Sequence, residues 1–184
     1  MKRIGFDAMG GDHAPVETVK GAIEALNLVD AKIVLYGDEA LINTELAKYG
    51  PRSERIEVVH APDRIENDDK PVAAIRHKPE ASMVVGLVAL KNKEIDAFVS
   101  AGNTGALLAG GLFKVGRIKG ITRPAICTIY PTSDRPSVLI DAGANAEVKP
   151  RNLIDFALMG AVYAERVIGL DKPTIGLVNV GAEE

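Results

Sequence analysis

Apolar runs alternate along the chain with stretches of helical spacing. Residues 4–9 form a first strand-like run, and Gly10-Gly11-Asp12-His13-Ala14-Pro15 turns it into a helix over about residues 16–28. A second strand at 32–36 is followed by a helix over about 39–49, and a third strand lies at 56–60. The polar stretch 63–70 has neither period and reads as a loop. Pro71 suits the first turn of a short helix, and Ser82 is placed to cap a helix running to about Lys93. A strand at 96–100 runs into Ala101-Gly102-Asn103-Thr104-Gly105 and an apolar helix to about Val115.

Runs at 125–130 and 137–140 then follow each other without a clear helix between them, which predicts a local antiparallel pair. A helix over about 153–168 and a last strand at 174–180 complete the series. Strand, glycine-rich turn and helix in repetition predict an α/β chain with a mainly parallel, doubly wound sheet. The strands are near-continuous apolar runs, as expected where both faces of a sheet are covered. The 153–168 helix is apolar on most sides, so it needs cover on more than the side facing its sheet. That implies a subunit interface or a further segment against it.

Composition narrows the class. At 184 residues and 47% hydrophobic the chain can bury a real core, and its balance of 22 basic against 25 acidic residues gives a net charge of −3. A mildly acidic balance disfavours a dedicated nucleic-acid binder. The one cysteine, Cys127, leaves no disulfide framework and suits a reducing cytoplasm. Set in an apolar strand, it reads as a buried, unreactive thiol. Aromatic residues are 4% with no Trp, so stacking platforms for bases or sugars are not expected. The longest apolar stretches, 83–90 and 104–113, fall short of the ~20 residues that a spanning helix needs.

The chemistry is expected at the C-terminal ends of the strands, where open α/β sheets bind ligands. Those ends carry residues 7–12, 100–105, 141–145 and 179–181, each combining glycine with small polar side chains. Glycine admits close backbone approach, and N–H groups opening the next helix face an anion unobstructed. Gly-x-Gly-x-x-Gly after a strand, the P-loop lysine motif and Gly-x-Ser-x-Gly are all missing, which weakens dinucleotide, P-loop and serine-hydrolase readings. His13, His60 and His77 lack metal-ligand spacing, so a metal site is not expected. Arg117, Lys119 and Arg123 form a basic cluster that can face an acidic partner.

At these turns the sequence resembles a known family. Asp7-Ala8-Met9-Gly10-Gly11-Asp12-His13-Ala14-Pro15 is similar to the opening of the phosphate acyltransferases of bacterial phospholipid synthesis. Further stretches agree in order: Lys70-Pro71-Val72 with Arg76, Ser82-Met83, 97–107, Asp141-Ala142-Gly143-Ala144-Asn145 with Lys149-Pro150, 157–160, and 176–181. The resemblance spans essentially the whole chain and implies the N-terminal portion, 1–184, of a single phosphate acyltransferase-like α/β domain in a longer protein. Its implied fold is that of phosphotransacetylases and of isocitrate and isopropylmalate dehydrogenases. It also implies transfer of a fatty acyl group from acyl carrier protein to inorganic phosphate, without cofactor, in a cytoplasmic homodimer associated with the membrane but not spanning it. The product passes to a membrane glycerol-phosphate acyltransferase.

That chemistry suits the turns. Hydrogen phosphate is a competent nucleophile and a thioester an activated donor, so holding, aligning and oxyanion stabilisation matter more than covalent catalysis. Phosphate is expected at Gly102 to Gly105 and near Gly143 to Asn145, with Asn103, Thr104 and Asn145 as side-chain donors and Lys149 and Arg76 as counter-charges. The substrate-binding set also takes in Gly10, Gly11, Asp12, Ser82, Ser100, Asp141, Asn179 and Gly181. Asp7, Asp12 and Asp141 are expected to orient loops, since a carboxylate beside phosphate repels it; His13 as general base is the alternative. Other readings of the same scaffold are a phosphotransacetylase using coenzyme A, a nicotinamide-dependent dehydrogenase, and a non-catalytic anion-binding module.

Overall fold

The computed structural model describes residues 1–179. They divide into two compact units, Met1–Gly116 and a second from Arg117 onward. The first runs β1 (Lys2–Asp7), α1 (Val16–Ala25), β2 (Ala31–Gly37), α2 (Glu39–Leu46), β3 (Ile56–His60), α3 (Pro71–His77), α4 (Ser82–Lys91), β4 (Ala97–Val99) and α5 (Thr104–Gly110). A 3₁₀ turn, Ala47–Tyr49, extends α2, and a π turn, Gly111–Val115, extends α5.

The four strands form one parallel sheet in the order β3-β2-β1-β4. The chain thus leaves β1 toward one edge, returns, and adds β4 on the other side of β1. That reversal puts the topological switch point between β1 and β4. Side chains alternate across β2. Ile33 and Leu35 join Val19, Ala22, Ile42 and Leu46 on the side of α1 and α2, while Val34 and Tyr36 pack with Ala89 and Ile95 on the side of α4. Both faces are therefore covered, which is why these strands read as unbroken apolar runs.

Helix α4 explains its own lack of a polar stripe. Its Met83, Val84 and Leu87 sit in a further cluster with Ile75 of α3 and Ala106 and Ala109 of α5, so it lies between the sheet and two helices. Gly86 is where it meets the sheet most closely: a methyl group there would stand 2.0 Å from a ring carbon of Phe98.

The second unit holds β5 (Cys127–Tyr130) antiparallel to β6 (Ser137–Ile140), then α6 (Pro150–Tyr163) with a π turn, Ala164–Ile168. The antiparallel departure expected here is present. Helix α6 packs on β6 through Gly160, where a methyl group would stand 3.0 Å from Ile140 Cγ2. Its Ile154, Leu158 and Val162, spaced four apart, are exposed, so among the described residues of this unit nothing covers the surplus apolar face. Asp155 on the same helix is buried and accepts from both the N–H (3.0 Å) and the hydroxyl (2.6 Å) of Thr122, which hold its carboxyl below the usual range. Cys127 is half-buried, and burial pushes its thiol up.

Two sequence expectations fail here. Residues 174–179 form no strand, because no neighbouring strand among the described residues takes up their main-chain N–H and C=O groups. Val180 and Gly181, also assigned to that run, lie outside the described residues. Ser82 is not a helix cap either: Ala81 occupies the cap position, and the Ser82 hydroxyl is used elsewhere.

Candidate functional site

The C-terminal ends of β1 and β4 converge on one buried carboxylate. Asp7, the last residue of β1, is 2% exposed. Its Oδ1 accepts from the Ser82 hydroxyl at 2.6 Å and from the Met9 N–H at 3.3 Å. Its Oδ2 accepts from the Ser100 hydroxyl at 2.7 Å, and Ser100 Oγ in turn accepts the Gly102 N–H at 3.1 Å. Three segments are thereby tied to one side chain: the turn after β1, the start of α4 and the turn after β4. Burial pushes the Asp7 carboxyl above the ordinary carboxylate range, against the pull of its hydrogen bonds from Ser82, Ser100 and Met9.

This crowding accounts for two of the glycines. A methyl group on Gly10 would stand 2.5 Å from Asp7 Oδ2 and 2.9 Å from Ser100 Oγ. One on Gly102 would meet Gly10 Cα, Met83 Cε and Ser100 Oγ, each at 3.3 Å. The two glycine-rich turns pack backbone to backbone over the carboxylate. Gly11 has a φ of +105°, a conformation that glycine adopts without strain.

Asn103 caps α5 through Oδ1, which accepts the Ala106 N–H at 2.9 Å. Its amide Nδ2 lies 3.1–3.2 Å from the carbonyls of Glu66, Asn67 and Asp69. The polar loop after β3 is thus drawn onto the start of α5. Asn67 also donates to Asp12 at 2.7 Å, Lys78 pairs with Asp69 at 2.6 Å, and Ile65 is buried beneath. Asn103 accordingly spends its side chain on the protein. Among the described residues, the N–H groups of Thr104 and Gly105 find no protein acceptor. Thr104 is exposed beside them. Gly105 admits Pro71 of α3, whose Cγ would lie 2.7 Å from a methyl group there.

In this unit, then, Gly10, Ser82, Ser100 and Gly102 gather around Asp7 with Gly11 beside Ala101, while Asp12 and Asn103 hold the 66–69 loop next to Thr104 and Gly105. Arg76 stands in the last turn of α3, with its guanidinium 5.9 Å from the centroid of the Phe113 ring, a cation–π contact. His13 is exposed, and His60 accepts the Glu39 N–H at the start of α2.

In the second unit Asp141 organises its own turn. Its Oδ1 accepts the Ile126 N–H at 2.7 Å, and its Oδ2 accepts the Asn145 N–H at 2.8 Å and the Asn145 amide at 3.1 Å. Asn145 also donates to the Pro124 carbonyl at 3.0 Å. Gly143 has a φ of +98° and open space around it. Lys149 stands at the cap of α6, its N–H donating to Asn152 Oδ1 at 2.9 Å and its side chain in none of the ion pairs of the described residues. Arg123 donates to the Glu147 carbonyl at 3.0 Å and Arg117 to the Thr122 carbonyl at 2.6 Å. Asn179 is exposed and irregular.

Sequence reasoning placed Asp7 among loop-orienting residues but outside the site set. Its signal was an aspartate closing an apolar strand directly before a double glycine. No helix of the described residues is long and apolar enough to cross a membrane.

Comparison with known proteins supports the fold and identifies the family. A family model described as "Fatty acid synthesis protein" matches residues 2–184. A phosphate acyltransferase from Alkaliphilus oremlandii is 57% identical over 182 residues, which is 99% of this chain and 54% of that protein. One from Clostridioides difficile is 49% identical over 183 residues, again 99% and 54%. Among solved structures, the EutD phosphotransacetylase from Staphylococcus aureus superposes with a TM-score of 0.67 at 18% identity, over 92% of this chain and 54% of that one. A phosphotransacetylase from Streptococcus pyogenes gives 0.65 at 14% identity, over 92% and 55%. These two likenesses show the fold. The chain spans about half the length of the curated relatives it matches, and it belongs to the fatty acid synthesis protein family.

Proposed function

We propose that the full-length protein transfers a fatty acyl group from acyl carrier protein to inorganic phosphate, and that the turn Gly102–Gly105 holds the phosphate. What supports this reading is the likeness to phosphate acyltransferases over 99% of this chain, together with the N–H groups of Thr104 and Gly105, which have no protein acceptor among the described residues. They open a helix at the switch point of a parallel sheet, in a turn without bulky side chains. A phosphate there gains fixed donors without displacing any protein hydrogen bond. The Thr104 hydroxyl adds a further donor.

The step needs little more than placement. A phosphate oxygen attacks the thioester carbonyl carbon, the C–O bond forms, and the negative charge passes to the carbonyl oxygen. The tetrahedral intermediate collapses with cleavage of the C–S bond. The thiolate leaves and takes a proton from solvent, and acyl phosphate remains. Holding the nucleophile is where the rate is gained, since oriented reactants reach effective molarities of ~10⁵ M and above. No acyl-enzyme enters this scheme. Asn103 serves as the positioning residue that keeps the turn and the 66–69 loop together; in the other unit Asn145 likewise spends its amide on Pro124 and Asp141 and shapes its turn, which leaves Lys149 as the charge that turn offers an anion. The exposed Lys119, with Arg117 and Arg123, is the surface offered to an acidic carrier. Membrane association and a homodimeric assembly belong to the same reading.

Acyl phosphate trapped as its hydroxamate tests it. The expected result is product from acyl carrier protein thioester only when phosphate is present. Product from the coenzyme A thioester instead points to phosphotransacetylase-like chemistry, the fold's other known use among the structures above. Phosphate binding without turnover on either donor would leave only an anion-binding module.

A further inference from the structure

We infer that Asp7 is a positioning residue for phosphate, acting through Ser100 on the backbone of the Gly102–Gly105 turn. The inference rests on the reading just given, that this turn holds the phosphate. A carboxylate buried next to an anion site is costly twice over, through its own desolvation and through repulsion of the ligand. A bland core residue at the end of β1 avoids both costs, so what Asp7 does must depend on its two oxygens.

Those oxygens reach three segments just beyond the end of the β1–β4 ladder: the turn after β1, the start of α4 and the turn after β4. Oδ2 receives the Ser100 hydroxyl, and Ser100 Oγ receives the Gly102 N–H. The relay therefore ends on the peptide that enters the turn, two residues before the unpaired N–H groups of Thr104 and Gly105. When the carboxyl is ionised it only accepts, so Ser100 donates to it and keeps its lone pairs for the Gly102 N–H. Oδ1 meanwhile fixes Met9 and Ser82, which holds the β1 turn and the start of α4 against the same point. Gly10 closes over the carboxylate with no room for a methyl group, and Gly102 packs tightly on Gly10.

Asp7→Asn keeps the shape and reverses this logic. Its amide places a donor toward Ser100 or toward Ser82, and one serine loses its acceptor. Ser100→Ala cuts the relay at its middle and leaves Asp7 ionised with two donors. A group needed only for folding lowers the amount of active protein and leaves the KM values of what remains unchanged. A positioning group for phosphate changes the phosphate KM selectively.

Steady-state acyl transfer by the full-length protein reads this out. The expected result is a rise of tenfold or more in the phosphate KM for Ser100→Ala, with the acyl-donor KM within twofold, and restoration toward the original value in Ser100→Thr, which keeps a hydroxyl. Asp7→Asn raises the phosphate KM similarly, and the double variant is no worse than the poorer single one, because both cut one relay. If Asp7→Asn does not fold, the Ser100 pair carries the test alone. An unchanged phosphate KM in Ser100→Ala, or a fall in kcat with neither KM changed, overturns the inference and leaves the function standing. An unsubstituted protein without phosphate-dependent turnover overturns the function, and this inference with it.

Discussion

Removing the Asn103 side chain separates two jobs that one residue performs. Asn103→Ala deletes the cap on α5, a loss of about 1 kcal/mol for a residue of this type. It also deletes two N–H donors shared among the carbonyls of Glu66, Asn67 and Asp69, worth about 0.5–1.5 kcal/mol each. The sum is about 3 kcal/mol, or ~6–12 °C in Tm for a chain of this size. Asn103→Asp is the informative partner. It keeps an acceptor for the Ala106 N–H and turns a carboxylate toward three carbonyls, so only the loop is lost. Amide hydrogen exchange on both variants distinguishes the jobs. The Asp69 N–H, bonded to the Glu66 carbonyl at 3.2 Å, should lose protection in both, whereas Ala106 should stay protected in Asn103→Asp and lose protection in Asn103→Ala. Unchanged exchange at Asp69 in Asn103→Asp would refute the assignment of this amide as the staple of the loop.

Gly10→Ala pushes a methyl group to 2.5 Å from Asp7 Oδ2. The carboxylate is pinned and has nowhere to go, so chemical denaturation should show a loss of about 1–3 kcal/mol. The raised pKa of Asp7 gives a pH dependence of definite sign. A carboxyl whose folded pKa lies above its unfolded value stabilises the fold fully below the unfolded pKa and loses that contribution as pH rises through the folded one. Relative to Asp7→Asn, which does not titrate, the unsubstituted protein should therefore lose ground in stability as pH rises above ~4; a flat difference across that window contradicts the burial argument. On the basic surface proposed for the carrier, Lys119→Glu should raise the KM for acyl carrier protein several-fold, most at low salt, and an effect independent of salt would remove this surface from the account.

Much of the fold was legible because local chemistry and packing agree. The run 56–60 and the run 137–140 coincide with β3 and β6, since each is a short apolar stretch bounded by turn residues. Residues 174–179 carry the same signal and form no strand, because a strand is completed by its neighbour, and a neighbour cannot be read from the run itself. Two of the candidate turns, at 7–12 and 100–105, were legible through glycine beside small polar residues, and the sheet brings them together. What each side chain does was less so. Ser82 has the sequence character of a cap, yet its hydroxyl is claimed by Asp7, 75 residues away in the chain. Asn103 reads as a free donor, yet the 66–69 loop takes its amide. Arg76 reads as a counter-charge, yet the ring of Phe113 lies within its reach. In each case a partner distant in sequence decides the role, and only the folded chain brings that partner close.

Phosphate binding at the start of α5 is the claim on which the rest depends, and one substitution addresses it directly. Thr104 is exposed and occupies the first position of the helix, where an acidic residue is compatible with the backbone and its dipole. Thr104→Glu should leave the fold intact while placing a carboxylate where the anion docks. Equilibrium dialysis of radiolabelled inorganic phosphate against the full-length protein should show saturable binding that this variant abolishes at unchanged Tm. Phosphate bound equally well by Thr104→Glu would contradict the account.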